Sequence, residues 1–493
     1  MIYNFNLGIG WASSGVEYAQ IYRARMFRNI GVDAKFVFTD MFPSENMEHM
    51  TKNIGFLDSE VIWLYTFFTD FKTAPVTYTL SDLEKTFTDL NYTKTREGKI
   101  CRYVFGGSNN FYTAYMVNDH DDFVHRVEMV SNGCLIRKDY FTYGRVYSEY
   151  YAPLDNAAHL YHRRFFNENG SVAYEEIIDD DRVMYKFKDK ILCSKEEFVG
   201  YMVSQLHLTK DDVVLIDRST DIGQSILMNC KPARVGTVVH ADHFSEKDTN
   251  DDYILWNNFY EYEFNMHKHI DFYICSTQAQ SDLMVQQFEK YYGVTPVVYT
   301  IPVGSLPELK YPKENRKPFS LITASRLASE KHVDWICKAV IQARSEVPEL
   351  SLDIYGEGGE RSKLETIIRE NNASSYIHLM GQHDLSEVYQ NYEAYIAGST
   401  SEGFGLTLME AVGGGLPIIG FDVRYGNPTF IRDGENGYLI DLPEEDKDKI
   451  EALRKGIVDL FKQNLEKCHS VSYLVAKDFL TSNVQEKWRE AVC

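Results

Sequence analysis

Residues 2–7 form a short apolar run, and glycines at 8, 10 and 15 interrupt the chain before a helical pattern runs from about Val16 to Ile30. Gly31 ends that pattern, and Val32–Phe38 reads as a second strand. Strand, glycine-rich turn, helix and strand in this order predict a βαβ unit with parallel strands. The pattern changes after residue 45. Between roughly residues 75 and 190 the chain is rich in Tyr, Phe and Val, in runs of alternating polar and apolar residues. Asn132-Gly133 separates Phe123–Val130 from Leu135–Phe141, and Asn169-Gly170 separates Leu160–Phe166 from Val172–Ile178. Asn-Gly between such runs predicts a two-residue hairpin, because both central residues of a type I′ turn need positive φ. An antiparallel β-meander is therefore expected inside the first α/β unit.

Helical periodicity returns at Lys195–Leu206, and the apolar runs Val213–Ile216, Val235–Val239 and Phe272–Cys275 read as buried parallel strands. Ile301–Pro318 holds Pro302, Pro307, Pro312 and Pro318 and reads as a linker. A second α/β pattern follows, with strands at Ser320–Thr323, Leu352–Tyr355, Ile377–Leu379, Ala394–Ile396 and Pro417–Gly420. Helices are expected near Val333–Glu346, Glu360–Glu370, Leu385–Asn391 and Leu406–Val412, and an amphipathic helical region at Val471–Val492. The predicted class is α/β, with two Rossmann-like doubly wound domains facing a cleft. The first is discontinuous (residues 1–45 and 195–305) and carries the inserted β-domain (46–194). The second covers 318–470, and 471–493 is a C-terminal helical segment.

Charge narrows the function. The 493 residues carry 51 basic and 72 acidic side chains, a net charge of −21, so a domain-wide basic footprint for nucleic acid is absent. A phosphate-bearing ligand must then be met by a few placed cations and backbone N–H groups. The eight cysteines form no CxxC pair and no zinc-like spacing, which predicts reduced, buried thiols. The N-terminus has no basic segment before an apolar core, and no uncharged run reaches the length of a membrane span. A cytoplasmic location is expected, with peripheral association at the inner face of the membrane left open.

The segment Ser399–Ala411 carries the richest chemistry. Gly403 and Gly405 let the backbone turn closely around Phe404, and a helix begins near Leu406, whose N-terminal N–H groups and dipole suit a diphosphate. Glu402 and Glu410 are spaced to face one ligand, and a carboxylate can accept two hydroxyl hydrogen bonds. This string resembles the E-x7-E signature of the GT-B glycosyltransferases of the retaining family 4 type. Ser325-Arg326-Leu327-Ala328-Ser329-Glu330-Lys331 resembles the same family's basic pair, which implies that Arg326 and Lys331 neutralise the donor diphosphate without a metal. Asp179-Asp180-Asp181 sits in the β-insert and reads as a solvated loop. Tyr355–Glu360 resembles the family's G-x-G turn. By the same resemblance Gln382 and His383 read the uracil, Glu410 holds the ribose, and Glu402 with the Gly403-Phe404-Gly405 backbone holds the sugar. The resemblance also implies that His240, at the end of Val235–Val239, contacts the sugar beside the anomeric carbon, with His243 as its rival.

Asn6–Gln20 resembles the N-terminus of the A subunit of the accessory Sec glycosyltransferases, a likeness that extends over nearly the whole chain. It implies that Gly15, Val16, Glu17 and Tyr18 border the UDP. It also implies transfer of N-acetylglucosamine from UDP-GlcNAc to Ser/Thr hydroxyls of a serine-rich repeat adhesin. A homologous, non-catalytic B subunit is the expected partner, in a heterotetramer docked through the β-insert. Glucose or another hexose as the donor sugar, a UDP-GlcNAc 2-epimerase, a polysaccharide or glycolipid glycosyltransferase and a degenerate binding or chaperone subunit stand as alternatives. The last predicts loss of Arg326, Lys331, Glu402 and Glu410, all of which are present.

Overall fold

The computed structural model describes residues 1–9, 15–43, 45–88, 91–106 and 109–493. Gly10 and the rest of the glycine-rich turn up to Ser14 lie outside the described residues. The chain divides into two compact units. One holds residues 1–24, 32–237 and 258–271, and the other holds 25–31, 238–257 and 272–493.

In the first unit, β1 (Ile2–Asn6) lies at the middle of a parallel sheet. Beside it run β2 (Ala34–Phe38) and then β3 (Val61–Trp63). On its other side run β14 (Val213–Ile216) and then β15 (Arg234–Val239). Phe5, Phe36, Phe38, Val214 and Ile216 are all buried, as expected for strands covered on both faces. The helix Gly15–Ile30 is fixed to the sheet by a buried polar cluster: Arg23 forks onto Asp217 at 2.7 and 2.8 Å, and Gln20 donates to the same carboxylate at 2.8 Å. A fork of this geometry satisfies the desolvated charges.

Between β3 and β14 the chain builds ten antiparallel strands in sequence order, from β4 (Tyr92–Glu97) to β13 (Ile191–Leu192). Asn132 and Gly133 have φ of 50° and 79°, the pair of positive values that a type I′ turn requires. Asn169-Gly170 departs from expectation. Only Gly170 has positive φ, 81°, and the loop closes through Asn167 N–H to Ser171 O and Gly170 N–H to Asn167 O, both 2.8 Å. Asn167's side chain also donates to Ser171, which stabilises a longer loop with one left-handed residue. The insert shares its core with the parallel sheet: Phe165, Tyr174 and Tyr185 pack in the same cluster as Phe5 and Phe38, with Tyr185 stacked 4.1 Å from Phe198 on the helix Lys195–Gln205. Asp180 and Asp181 are exposed at a hairpin tip, where Asp180 takes φ 52°.

The second unit contains the parallel pair β18 (Phe272–Cys275) and β19 (Val298–Thr300), and a short antiparallel ribbon of β16 (Phe244–Ser245) and β17 (Leu255–Trp256). Its main sheet has six parallel strands: β20 (Ser320–Ala324), β21 (Ser351–Tyr355), β22 (Ile377–Gly381), β23 (Ala394–Ile396), β24 (Ile418–Phe421) and β25 (Gly437–Ile440). They lie in the order β22-β21-β20-β23-β24-β25. Leu385–Asn391 is not the expected α-helix. Its backbone closes through i→i+3 bonds, Val388 N–H to Leu385 O at 3.0 Å and Asn391 N–H to Val388 O at 3.1 Å, and Tyr389–Asn391 forms a 3₁₀ turn. The proline-rich segment is extended but tied down. Leu306 exchanges backbone hydrogen bonds with Phe479 and Thr481, and Arg316 donates to the carbonyls of Gln390, Tyr392 and Gly414. The C-terminal region forms two helices, Leu465–Ala476 and Thr481–Val492, broken by a turn at Lys477–Phe479. All eight cysteines are free, and Cys134, Cys193 and Cys493 are exposed, against the expectation of burial. No described helix is long and apolar enough to cross a membrane.

Candidate active site

The strand order of the six-stranded sheet reverses between β20 and β23. The chain leaves β20 toward β21 and β22, then returns to the other side of β20. The loops at the carboxyl ends of two such strands diverge and leave room for a ligand. The loop after β20 carries Arg326 and Lys331; the loop after β23 carries Glu402, Gly403, Phe404 and Gly405, with Glu410 one turn into the helix that follows. The basic pair and the E-x7-E string therefore stand on either side of the switch point.

Close backbone packing holds these loops together. Gly356, after β21, has φ of 125°, and a Cβ there would sit 1.9 Å from the Ser325 carbonyl oxygen. A Cβ on Gly398 would lie 2.9 and 3.1 Å from the carbonyls of His332 and Lys331. Only glycine lets the lysine's backbone lie on the end of β23. Tyr395 donates to the Ala324 carbonyl at 2.9 Å and has the Thr407 hydroxyl at 3.1 Å, which ties β20 to the start of the helix Leu406–Gly413.

Lys331 Nζ is 2.6 Å from Glu402 Oε2, with both side chains about one-fifth exposed. Glu402 is held by its backbone: its carbonyl accepts the N–H groups of Tyr425 (2.6 Å) and Gly426 (2.7 Å), and its own N–H donates to Arg424 O. Arg326 reaches into solvent, 75% exposed, with Glu330 at 2.9 Å. The helix starts at Leu406 behind Gly405, which has φ of 87°, and no side chain caps its first turn. Glu410 accepts a hydrogen bond from the Tyr389 hydroxyl at 3.1 Å, and burial raises its pKa. Gln382 and His383 are exposed just past β22, with the His383 ring edge-on to Tyr355 at 5.8 Å. Two cations, an uncapped helix start and two carboxylates on one sheet edge suit a ligand that joins a diphosphate to hydroxyl-rich rings. Among the described residues no three His, Cys, Asp or Glu side chains converge as a metal site.

The two histidines after β15 differ in kind. His240 is half-buried, and its carbonyl lies 3.6 Å from where a Cβ on Gly403 would be. His243 is fully buried. Its Nε2 faces Gln287 Oε1 at 2.7 Å, and an amide oxygen only accepts, so Nε2 carries the proton. Nδ1 then accepts from the Tyr425 hydroxyl at 3.3 Å. Burial, with Arg424 nearby, pushes the His243 pKa down to about 4. It is a neutral core residue, which removes it as a rival for contact with a ligand. The unfolded chain takes up this proton near pH 6.5 and the folded chain only near 4. Stability from this site is thus complete above pH 6.5 and is lost as pH falls toward 4, a difference of about 3 kcal/mol. Urea midpoints should fall between pH 7 and pH 5, and His243→Gln should be less stable at pH 7 with a shallower fall. His469, half-buried near Arg316 with its pKa also lowered to about 4, keeps part of the slope in that variant.

Gly15, Val16, Glu17 and Tyr18 open the first helix of the other unit. Val16 and Glu17 are buried there, and Tyr18 is exposed. Sequence reasoning missed Tyr389, Tyr425 and Gly398. Their partners lie elsewhere in the chain, and no local pattern points to them.

A curated protein of Streptococcus agalactiae, described as UDP-N-acetylglucosamine–peptide N-acetylglucosaminyltransferase GtfA subunit, is 52% identical over 492 residues, 99% of this chain and 97% of the relative. The chain belongs to the GtfA family. Residues 93–189 match the GtfA extended beta-sheet domain, and residues 308–474 match the glycosyl transferases group 1 family. Among solved structures, a GtfA/B complex contains a chain 53% identical to this one, with a TM-score of 0.96 over 100% of this chain and 99% of that one. The pneumococcal O-GlcNAc transferase GtfA in complex with UDP and GlcNAc is 50% identical, with a TM-score of 0.87 over 100% and 98%. The fold is of the GT-B type, with the GtfA β-sheet domain inserted.

Proposed function

We propose that this chain transfers N-acetylglucosamine from UDP-GlcNAc to serine and threonine hydroxyls of a polypeptide, with retention of configuration. The observation that carries the reading is the contact of Lys331 with Glu402 across the switch point of the second sheet. It brings a phosphate-binding cation to a carboxylate able to take sugar hydroxyls, as a nucleotide sugar requires. The family supports it: relatives are named UDP-N-acetylglucosamine–peptide N-acetylglucosaminyltransferases, and one was solved with UDP and GlcNAc.

In this reading Arg326, Lys331 and the helix start at Leu406 hold the diphosphate. Glu410 takes the ribose and Gln382 and His383 take the uracil; Gly15, Val16, Glu17 and Tyr18 border the UDP. Glu402 and the backbone of Gly403, Phe404 and Gly405 hold the sugar, with His240 beside the anomeric carbon. The acceptor oxygen bonds to that carbon on the face from which UDP departs, and its proton passes to a β-phosphate oxygen of the leaving group. Fixed cations stabilise the charge that develops on UDP, so no metal is required. A serine-rich repeat adhesin is the acceptor, and a homologous B subunit docks on residues 46–194 in a heterotetramer. The solved GtfA/B complex of a relative supports that pairing. The assembly works in the cytoplasm.

The test is mass spectrometry of a serine-rich peptide incubated with the full-length chain, its B subunit and a panel of UDP-sugars. An added N-acetylhexosamine is expected. Addition of hexose alone overturns the donor assignment, and conversion of UDP-GlcNAc without any acceptor makes the enzyme an epimerase.

A further inference from the structure

We infer that Tyr389 is the positioning residue that holds Glu410 ready for the donor's ribose hydroxyls. The inference rests on the reading of Glu410 as the ribose acceptor. Tyr389 is buried in the 3₁₀ turn Tyr389–Asn391 and fixed by packing: a Cβ on Gly414 would lie 2.8 Å from its own Cβ. From there its hydroxyl donates to Glu410 Oε2 at 3.1 Å.

The other charged and titratable groups around the helix Leu406–Gly413 are engaged elsewhere. Tyr395 on β23 donates to Ala324 O and faces Thr407. Tyr473 on Leu465–Ala476 faces the carbonyls of Lys310 and Gly414. The Lys310 ammonium is on Glu308 and Glu387. Asp384, in the loop after β22, adds only negative charge near Glu410. Among the described residues no cation pairs with Glu410.

Burial and Asp384 therefore drive this carboxyl toward its neutral form, and the Tyr389 hydroxyl opposes them. The balance matters because an ionised carboxylate accepts from both ribose hydroxyls, whereas a carboxylic acid must spend one oxygen as a donor. The phenol also occupies one acceptor position on Oε2, which turns Oε1 and the remaining lone pairs toward the ligand. Tyr389 thus controls both the orientation and the charge of the group that distinguishes ribose from deoxyribose.

Calorimetry of the full-length chain with UDP and with 2′-deoxy-UDP, between pH 5.5 and 8.5, tests this on wild type, Tyr389→Phe and Glu410→Gln. The titration of UDP's own phosphate is common to all three proteins. Near pH 8.5 Tyr389→Phe should match wild type for UDP. Its loss of affinity on acidification should begin at a higher pH than in wild type, and at pH 5.5 it should bind UDP roughly tenfold more weakly, the scale of one hydrogen bond lost from a charged group. Its affinity for 2′-deoxy-UDP should change less. Glu410→Gln should be weak and indifferent to that shift. A Tyr389→Phe curve that superimposes on wild type overturns the inference. So does a variant weakened by one factor at every pH and for both nucleotides, which would be packing alone. Should Glu410→Gln bind UDP as wild type does at every pH, the ribose reading itself falls. A weak Glu410→Gln beside an unshifted Tyr389→Phe removes only the positioning role of Tyr389.

Discussion

Replacing Glu402 with alanine is expected to lower sugar transfer by about two to three orders of magnitude while UDP binds as well as before, or more tightly. The two effects separate because of how Glu402 is held. The hydrogen bonds from Tyr425 and Gly426 end on its backbone carbonyl, so alanine keeps the shape of the loop. The side chain's partner is the ammonium of Lys331, 2.6 Å away. Without the carboxylate that cation is fully available to a diphosphate, and product affinity has no reason to fall. What disappears is the acceptor for the sugar hydroxyls, which is needed when the glycosidic bond to phosphate stretches. Steady-state transfer kinetics and UDP calorimetry on one preparation would show it. A Glu402→Ala enzyme that transfers sugar at near the wild-type rate would sink the assignment.

Arg326→Ala should show the opposite separation, between activity and stability. The side chain is 75% exposed, and its i,i+4 pair with Glu330 is of the kind that adds little to folding. The melting midpoint should stay put, while kcat/KM for the UDP-sugar falls by about a hundredfold, the scale for one donor removed from a developing anion. Arg326→Lys should recover only part of that loss, because an ammonium cannot fork onto a phosphate. A fall in melting temperature with activity preserved would make Arg326 a surface brace and no more.

The parts of the site carried by short contiguous strings were legible in the sequence. Glu402 and Glu410 share one loop and helix, and Arg326 and Lys331 share one strand end, so a family resemblance carried by two short strings singles them out as candidates. The parallel strands were equally legible, since burial on both faces forces continuous apolar runs. What escaped is what depends on distant partners. Nothing near Tyr389 says that its hydroxyl will meet a glutamate 21 residues away, and nothing near Tyr425 says that it will face His243, 182 residues earlier. The two Asn-Gly turns make the same point in miniature. Asn132 takes positive φ and Asn169 does not, because the loop at Asn169 is shaped by Asn167 and Ser171 on its flanks. The helix expected at Leu385–Asn391 closes instead as successive tight turns, with i→i+3 bonds from Val388 to Leu385 and from Asn391 to Val388.

The ten-stranded insert also affects how the protein is made. Its strands pair with their immediate successors, so they can zip together as they leave the ribosome. The strand Ile2–Asn6 has a different fate, because Ile2 must wait for Val213. At about 5–20 residues per second, the interval is roughly ten to forty seconds. Throughout that time one side of the first strand stays unpaired, a template for mispairing that a nascent-chain holdase would have to shield.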